Sequence, residues 1–91
     1  MSVTVRIPTP IRRVTNGEDK VTVSGDTLKQ IIEAMEEQYP GIKARLCDDK
    51  GDLRSFVNIY INGEDVRFLS GIDSPVDSGD EVSIIPAVAG G

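Results

Sequence analysis

GDTLKQIIEAMEEQYPG, residues 25–41, is the stretch of this 91-residue chain in which apolar residues recur most clearly at helical spacing. Thr27 and Gln30 match the S/T-x-x-E/Q capping box with which helices begin, and Pro40-Gly41 supplies the stop. The apolar positions between these signals are Leu28, Ile31, Ile32, Met35 and Tyr39. The segment therefore predicts one amphipathic helix, which must pack its apolar side on another element.

Before the helix, period-2 alternation predicts two strands joined by a long loop. Val3, Val5 and Ile7 alternate with polar residues, and Pro8-Thr9-Pro10 ends this first run. Asn16-Gly17 is a strong turn signal, and the segment from Lys20 to Val23 is again strand-like. Residues 3–24 therefore predict an antiparallel hairpin.

After the helix, the sequence predicts a short helical turn over residues 42–46 and a loop over residues 48–52. The run from Phe56 to Ile61 is the most strand-like in the chain. It is followed by Asn62-Gly63, which has the chemistry of a type I′ turn, and by a short return strand at Val66-Arg67-Phe68.

The final strand completes the predicted fold. It runs from Glu81 to Ile85, and Pro86 ends it. The order strand, strand, helix, strand, short strand, strand, with the first and last strands parallel at the centre, is that of the β-grasp fold. We therefore expect an α+β protein with a mixed sheet of about five strands and one main helix on one face. Residues 1–86 would form this domain, and residues 87–91 an extended C-terminal tail.

Composition narrows the function classes. The formal net charge of −5 argues against nucleic acid as the main ligand. No apolar run approaches the ~20 residues of a membrane span, and the N-terminus lacks the pattern of a signal peptide. We therefore expect a cytoplasmic protein without a membrane partner, monomeric when free.

Histidine is absent and Cys47 is the single cysteine, so no metal site or catalytic dyad is predicted. Cys47 is interpreted as a packing residue, and the chain as a non-enzyme that binds no cofactor itself.

The chain ends in Val88-Ala89-Gly90-Gly91. Glycine has no Cβ, so this ending can lie flat in a narrow channel and present an unhindered carboxylate. Such a carboxylate, with a typical pKa of about 3.5, is a poor electrophile until it is activated. We therefore interpret these four residues as the segment that enters a partner's active site, with Gly91 as the activated residue. Beyond Pro86 the tail can extend roughly 16 to 18 Å.

A single helix covers only one face of the predicted sheet, so the other face is available to partners. Within the return segment and the last strand, the candidate docking residues are Arg67, Phe68, Val82 and Ile84. Alternation alone does not say which parity of the last strand faces outward.

Several segments resemble the ubiquitin-like sulfur carriers of the ThiS/MoaD type. They are Gly25-Asp26-Thr27-Leu28, the stretch from Phe56 to Phe68, Gly79-Asp80 and the ending from Ile85 to Gly91. The resemblance covers essentially the whole chain and is closest to the branch that serves cysteine biosynthesis. It implies that an E1-like enzyme uses ATP and magnesium to adenylate Gly91, and that sulfide or a persulfide then replaces AMP. It also implies a sulfur-accepting, pyridoxal-phosphate-dependent cysteine synthase as partner, and a metalloprotease that releases the new cysteine.

Other functions fit the same ending. Molybdopterin synthesis is the alternative recipient, and thiamine synthesis is less favoured because the loops at 15–20 and 47–52 are long for the smallest thiazole carriers. A protein modifier joined through Gly91 to lysines would begin with the same adenylate. A plain β-grasp binding module would keep its activity when the last two residues are deleted.

Overall fold

The computed structural model describes residues 2–54 and 57–86, and its strands form one five-stranded mixed sheet. The strands are β1 (Val3–Arg6), β2 (Lys20–Val23), β3 (Val57–Ile61), β4 (Glu64–Asp65) and β5 (Glu81–Pro86). Their order across the sheet is β2-β1-β5-β3-β4, with β1 and β5 parallel and the other pairs antiparallel. The predicted β-grasp fold is confirmed, including the parallel pairing of the first and last strands at the centre.

Two helices lie between β2 and β3 in the chain, α1 (Leu28–Gln38) and the short α2 (Ile42–Leu46). At the start of α1, the hydroxyl of Thr27 accepts a hydrogen bond from the Gln30 amide at 3.3 Å. The side chain of Gln30 in turn accepts one from the amide of Asp26 at 2.7 Å. The predicted capping pair is therefore present, with its return bond one residue further back than in the usual capping box.

The apolar side of α1 packs into a core shared with the sheet. Leu28, Ile31, Ile32 and Met35 are buried, as the helical spacing predicts. The strands and the residue after β1 contribute Val3, Val5, Ile7, Val21, Val23, Val57, Ile59, Ile61, Val82 and Ile84. Burying an aliphatic side chain of this size contributes roughly 1.5 to 3 kcal/mol, so this core is the main source of stability.

Glu36 joins the two helices. Its carboxylate accepts hydrogen bonds from the amide of Lys43 at 2.9 Å and from the amide of Gly41 at 3.1 Å. Gly41 has a φ of 104°, which favours glycine because a side chain would be strained there. The two bonds, from Lys43 first and then Gly41, hold the pKa of the Glu36 carboxyl below its usual value.

Both Asn-Gly pairs form the predicted turns. Asn16 and Gly17 have φ values of 57° and 86°, and Asn62 and Gly63 have 51° and 88°. These left-handed values are what a type I′ turn requires at its two central residues.

The predicted return strand at residues 66–68 is wrong. Pairing with β3 stops at Asp65, and Val66–Phe68 forms a 3₁₀ turn. The side chain of Asp65 accepts a hydrogen bond from the Arg67 amide at 2.9 Å, and this local bond competes with a sheet ladder. Phe56, predicted as the first residue of the third strand, and the tail at 87–91 lie outside the described residues.

Candidate functional site

One face of the sheet carries the residues that alternate with the buried ones. Strand register places Lys20, Arg6, Ser83, Tyr60 and Asp65 side by side across all five strands. The guanidinium of Arg6 also lies 3.0 Å from the carboxylate of Glu81 on the neighbouring strand. This open face is therefore polar along its central row, as predicted for the face that the main helix does not cover.

Two of the four predicted docking residues are wrong. Val82 and Ile84 are 0% and 3% exposed and belong to the buried core. The opposite parity of β5 faces outward, and its last member, Ile85, is 48% exposed. Polar Glu81 and Ser83 share the parity of Ile85, but Ile84 and Ile85 are equally apolar, so alternation alone left the outward parity open.

The other two predicted docking residues differ in what they offer a partner. Phe68 is 88% exposed, an unusual exposure for a large aromatic side chain. The guanidinium of Arg67 instead donates hydrogen bonds to the side chain of Asn58 and, at 2.8 Å, to the carbonyl of Val57. Arg67 thus supports the first residues of β3. Leu69, which sequence reasoning missed, is 43% exposed next to Phe68.

The last described residue, Pro86, belongs to β5. Ile85 pairs with Asn58 and Pro86 with Val57, so the bonds of Arg67 support the strand that lies beside the last residues of β5. The predicted insertion segment, Val88-Ala89-Gly90-Gly91, lies outside the described residues. Gly91 as the activated residue therefore stays a prediction.

The beginning of β5 is tied to the turn between β3 and β4. The side-chain amide of Asn62 donates to the Asp80 carboxylate at 2.9 Å, and its oxygen accepts from the Glu81 amide at 3.0 Å. The Asp77 amide also donates to the Asp80 carboxylate, at 2.8 Å. The bond from Asp77 first, and then that from Asn62, lowers the pKa of the Asp80 carboxyl.

Cys47 is 2% exposed, as a packing residue should be. Burial raises the pKa of its thiol, which disfavours the reactive thiolate. Within residues 2–54 and 57–86, no three His, Cys, Asp or Glu side chains come close enough together to hold a metal ion. No helix in that part of the chain is long and apolar enough to cross a membrane.

Comparison with known proteins agrees with this architecture. The model of the ThiS family matches residues 5–91. Sulfur carrier protein CysO of Mycobacterium tuberculosis is 52% identical over 93 residues, which cover 100% of both chains. In the crystal structure of the Amycolatopsis orientalis BexX/CysO complex, one chain superposes with a TM-score of 0.93 at 48% identity, over 98% of this chain and 99% of that one. Small archaeal modifier protein 3 of Haloferax volcanii is 38% identical over 65 residues, 71% of this chain and 70% of its own.

The fold and these similarities define a ubiquitin-like carrier protein rather than an enzyme. The chain belongs to the ThiS family, because the family model matches all but its first four residues. Its similarity to CysO confirms the predicted resemblance to sulfur carriers of the cysteine-biosynthesis branch.

Proposed function

We propose that this protein carries sulfur for cysteine biosynthesis as a thiocarboxylate on Gly91. Similarity to CysO over the whole chain is the observation that carries this proposal. The described structure supports it in one further respect, because Pro86 belongs to β5 and four residues separate it from Gly91. A cytoplasmic location would suit a protein that depends on ATP.

The proposed cycle needs no acid, base or metal from this chain. On an E1-like enzyme, the Gly91 carboxylate attacks the α-phosphorus of magnesium-bound ATP and releases pyrophosphate. Sulfide then attacks the acyl carbon and displaces AMP, which gives the thiocarboxylate. The terminal sulfur of a persulfide would instead give an acyl disulfide, from which a second thiol would displace the thiocarboxylate by forming a disulfide with the sulfur that had carried it. The thiocarboxylate sulfur would finally attack an activated serine derivative on a pyridoxal-phosphate-dependent synthase, displacing its leaving group. A metalloprotease would then release the new cysteine.

The surface that docks the activating enzyme is proposed to include Phe68, Leu69 and Ile85. All three are large apolar side chains with at least 43% exposure. Exposed apolar side chains of this kind commonly mark interaction sites. Phe68 was among the predicted docking residues, and Leu69 and Ile85 replace Val82 and Ile84.

A second function, modification of other proteins, is favoured by similarity to named protein modifiers. Relatives named small archaeal modifier proteins match 71% and 79% of this chain. Attack of a lysine amine on the same adenylate would join Gly91 to another protein by an isopeptide bond and release AMP. The two uses share the activation step and differ only in the nucleophile.

Mass spectrometry of the C-terminal peptide from protein isolated from its native cells distinguishes the two. The protein is alkylated before digestion, so that a thiocarboxylate carries the mass of the alkyl group. Residues 68–91 contain no methionine or cysteine, so oxidation of such a residue cannot be mistaken for the replacement of oxygen by sulfur in this peptide. An alkylated thiocarboxylate on Gly91 supports the carrier, and Gly91 in isopeptide linkage to lysine supports the modifier. A free carboxylate in sulfur-replete cells that contain the activating enzyme would contradict both.

A truncated variant lacking Gly90 and Gly91 is the matched control. It retains every residue of the described structure, so its fold should be unchanged, and it should accept neither AMP nor sulfur. If it retained full biological activity, the chain would be a plain binding module.

A further inference from the structure

A groove of about 280 Å³ lies beside the last residues of β5, on the side that faces β1. Pro8 and Arg12, which follow β1, contribute one wall, and Ser83, Ile84 and Ile85 contribute the other. An enzyme that takes up Gly91 would approach this end of the sheet, because Gly91 is only five positions after Pro86 of β5.

The groove exists because β1 stops pairing before β5 ends. Their register ends at Arg6 opposite Ser83, whereas β5 continues to Pro86 alongside β3. The amide of Thr4 donates to the carbonyl of Asp80, toward β5, whereas the amide of Ile7 donates to Asp19, toward β2. Even-numbered amides of β1 therefore point toward β5, and residue 8 would be the next such donor.

Residue 8 is a proline, which has no amide hydrogen. The hydrogen bonds between two parallel strands repeat every two residues along each strand. If the ladder that contains the bond from the Thr4 amide to the Asp80 carbonyl continued, the amide of residue 8 would donate to the carbonyl of Ile84. That bond cannot form. The Ile84 carbonyl consequently faces the groove without a donor from β1.

Arg12 lines the same groove as Ile84. Its Nε donates to the carbonyl of Ile7 at 3.0 Å, which fixes the guanidinium at the groove. The side chain of Arg12 makes no other hydrogen bond or ion pair with the residues that the structure describes. Asp19 also lines the groove, so a purely anionic ligand would meet a like charge there. A neutral peptide unit fits better, because its N–H matches the Ile84 carbonyl and its oxygen matches Arg12.

We propose that an extended segment of the activating enzyme enters this groove and takes the place beside β5 that β1 leaves open. The proposal rests on the proposed activation of Gly91 and names how the activating enzyme recognises the end of the sheet. Four of the five following residues are alanine or glycine, so an enzyme must recognise this segment largely through the backbone. Addition of a strand to an open sheet edge provides such recognition.

The test measures activation of the carrier by the E1-like enzyme of the same cells, as the KM for carrier in ATP–pyrophosphate exchange. Arg12→Gln should raise this KM about tenfold, equivalent to a loss of ~1.4 kcal/mol. Arg13→Gln removes the same charge from the next residue, which does not line the groove, and should change KM less than twofold. Pro8→Ala supplies an amide that can bond the Ile84 carbonyl internally, so it should also raise KM, whereas Pro10→Ala should not.

A second measurement reports directly on whether the Ile84 carbonyl accepts a hydrogen bond from the enzyme. When enzyme is added to ¹³C-labelled carrier, the Ile84 carbonyl resonance should shift toward that of a hydrogen-bonded carbonyl, and the Val82 resonance should not. Melting curves of all four variants check that KM changes do not reflect unfolding.

The outcomes separate this inference from the function on which it rests. If the wild-type carrier is not adenylated, the proposed function fails and the groove proposal fails with it. If the wild type is adenylated but Arg12→Gln behaves like Arg13→Gln and the Ile84 resonance does not move, the function stands and the groove proposal is wrong.

Discussion

The side chain of Asn62 donates a hydrogen bond to the carboxylate of Asp80 at 2.9 Å and so joins two loops that are 18 residues apart in the sequence. The same side chain accepts a bond from the Glu81 amide at 3.0 Å, and the Asn62 amide donates to the Glu81 carbonyl at 2.8 Å. Asn62 therefore aligns the first residue of β5 with the end of β3. This contact therefore positions the first residue of the strand that includes Pro86.

Variants of Asn62 should separate its side-chain bonds from its backbone conformation. Asn62→Gly keeps the φ of 51° without strain but removes both side-chain bonds, so stability should fall by about 1 to 2 kcal/mol. Asn62→Ala adds the strain of a left-handed backbone and should be less stable than Asn62→Gly. Urea denaturation of the three proteins gives the comparison. Equal stability of the wild type and Asn62→Gly would show that the side-chain bonds contribute nothing net.

Acid should destabilise the protein through Glu36 and Asp80. Both carboxyls have pKa values lowered by hydrogen bonds in the folded state. Their contribution is therefore fully present above the unfolded pKa values, about 4. It is lost as pH falls from there through the lower folded values. The free energy of unfolding, measured from pH 7 to pH 2, should fall less steeply below pH 4 in Glu36→Gln than in the wild type. A parallel fall in both proteins would contradict this, and Glu37→Gln, which removes the adjacent carboxyl of α1, is the control.

Substitutions at the adjacent residues Ile84 and Ile85 should affect different properties, stability at Ile84 and recognition by the activating enzyme at Ile85. Ile84→Ala removes a buried side chain and should cost about 2 to 5 kcal/mol of stability. Ile85→Ala should change stability by less than about 1 kcal/mol and raise the KM of the activating enzyme for the carrier. Phe68→Ala should behave like Ile85→Ala. Unchanged KM in both exposed variants would remove these residues from the proposed docking surface.

Cys47→Ala should leave sulfur loading intact. The thiol is buried, and its raised pKa keeps it protonated at neutral pH, so it is poorly suited to transfer sulfur. The substitution leaves a small cavity and should lower stability by about 1 kcal/mol. Thiocarboxylate formation on the variant is followed by mass spectrometry at a temperature well below its melting point. Abolished loading of a folded variant would instead make Cys47 a participant in the chemistry.

Much of the fold could be predicted from local signals. The capping pair at Thr27 and Gln30 and the left-handed turns at Asn16-Gly17 and Asn62-Gly63 each depend on bonds or dihedral angles within a few residues. Such features are encoded where they occur. The segment at residues 66–68 was wrongly predicted as a strand. A strand this short gains little from pairing, and the local hydrogen bond from the Arg67 amide to the Asp65 side chain competes with it.

The site depended more strongly on distant contacts. Val82 and Ile84 were predicted at the surface, and the sheet places them in the core because the face of a strand is set by its neighbours. The exposure of Phe68 and Leu69 follows from the 3₁₀ turn that takes the chain away from β3.

By itself, the sequence determined the order of the elements, the helix, the turns and the Gly-Gly ending, because these depend on local conformation and on the covalent chain. Only the tertiary structure decided which parity of β5 is buried and that the Ile84 carbonyl faces a groove beside Arg12. Both follow from the parallel pairing of β1 with β5, which brings together residues more than 75 positions apart. Burial and hydrogen-bond satisfaction are properties of that pairing, and no short stretch of sequence contains them.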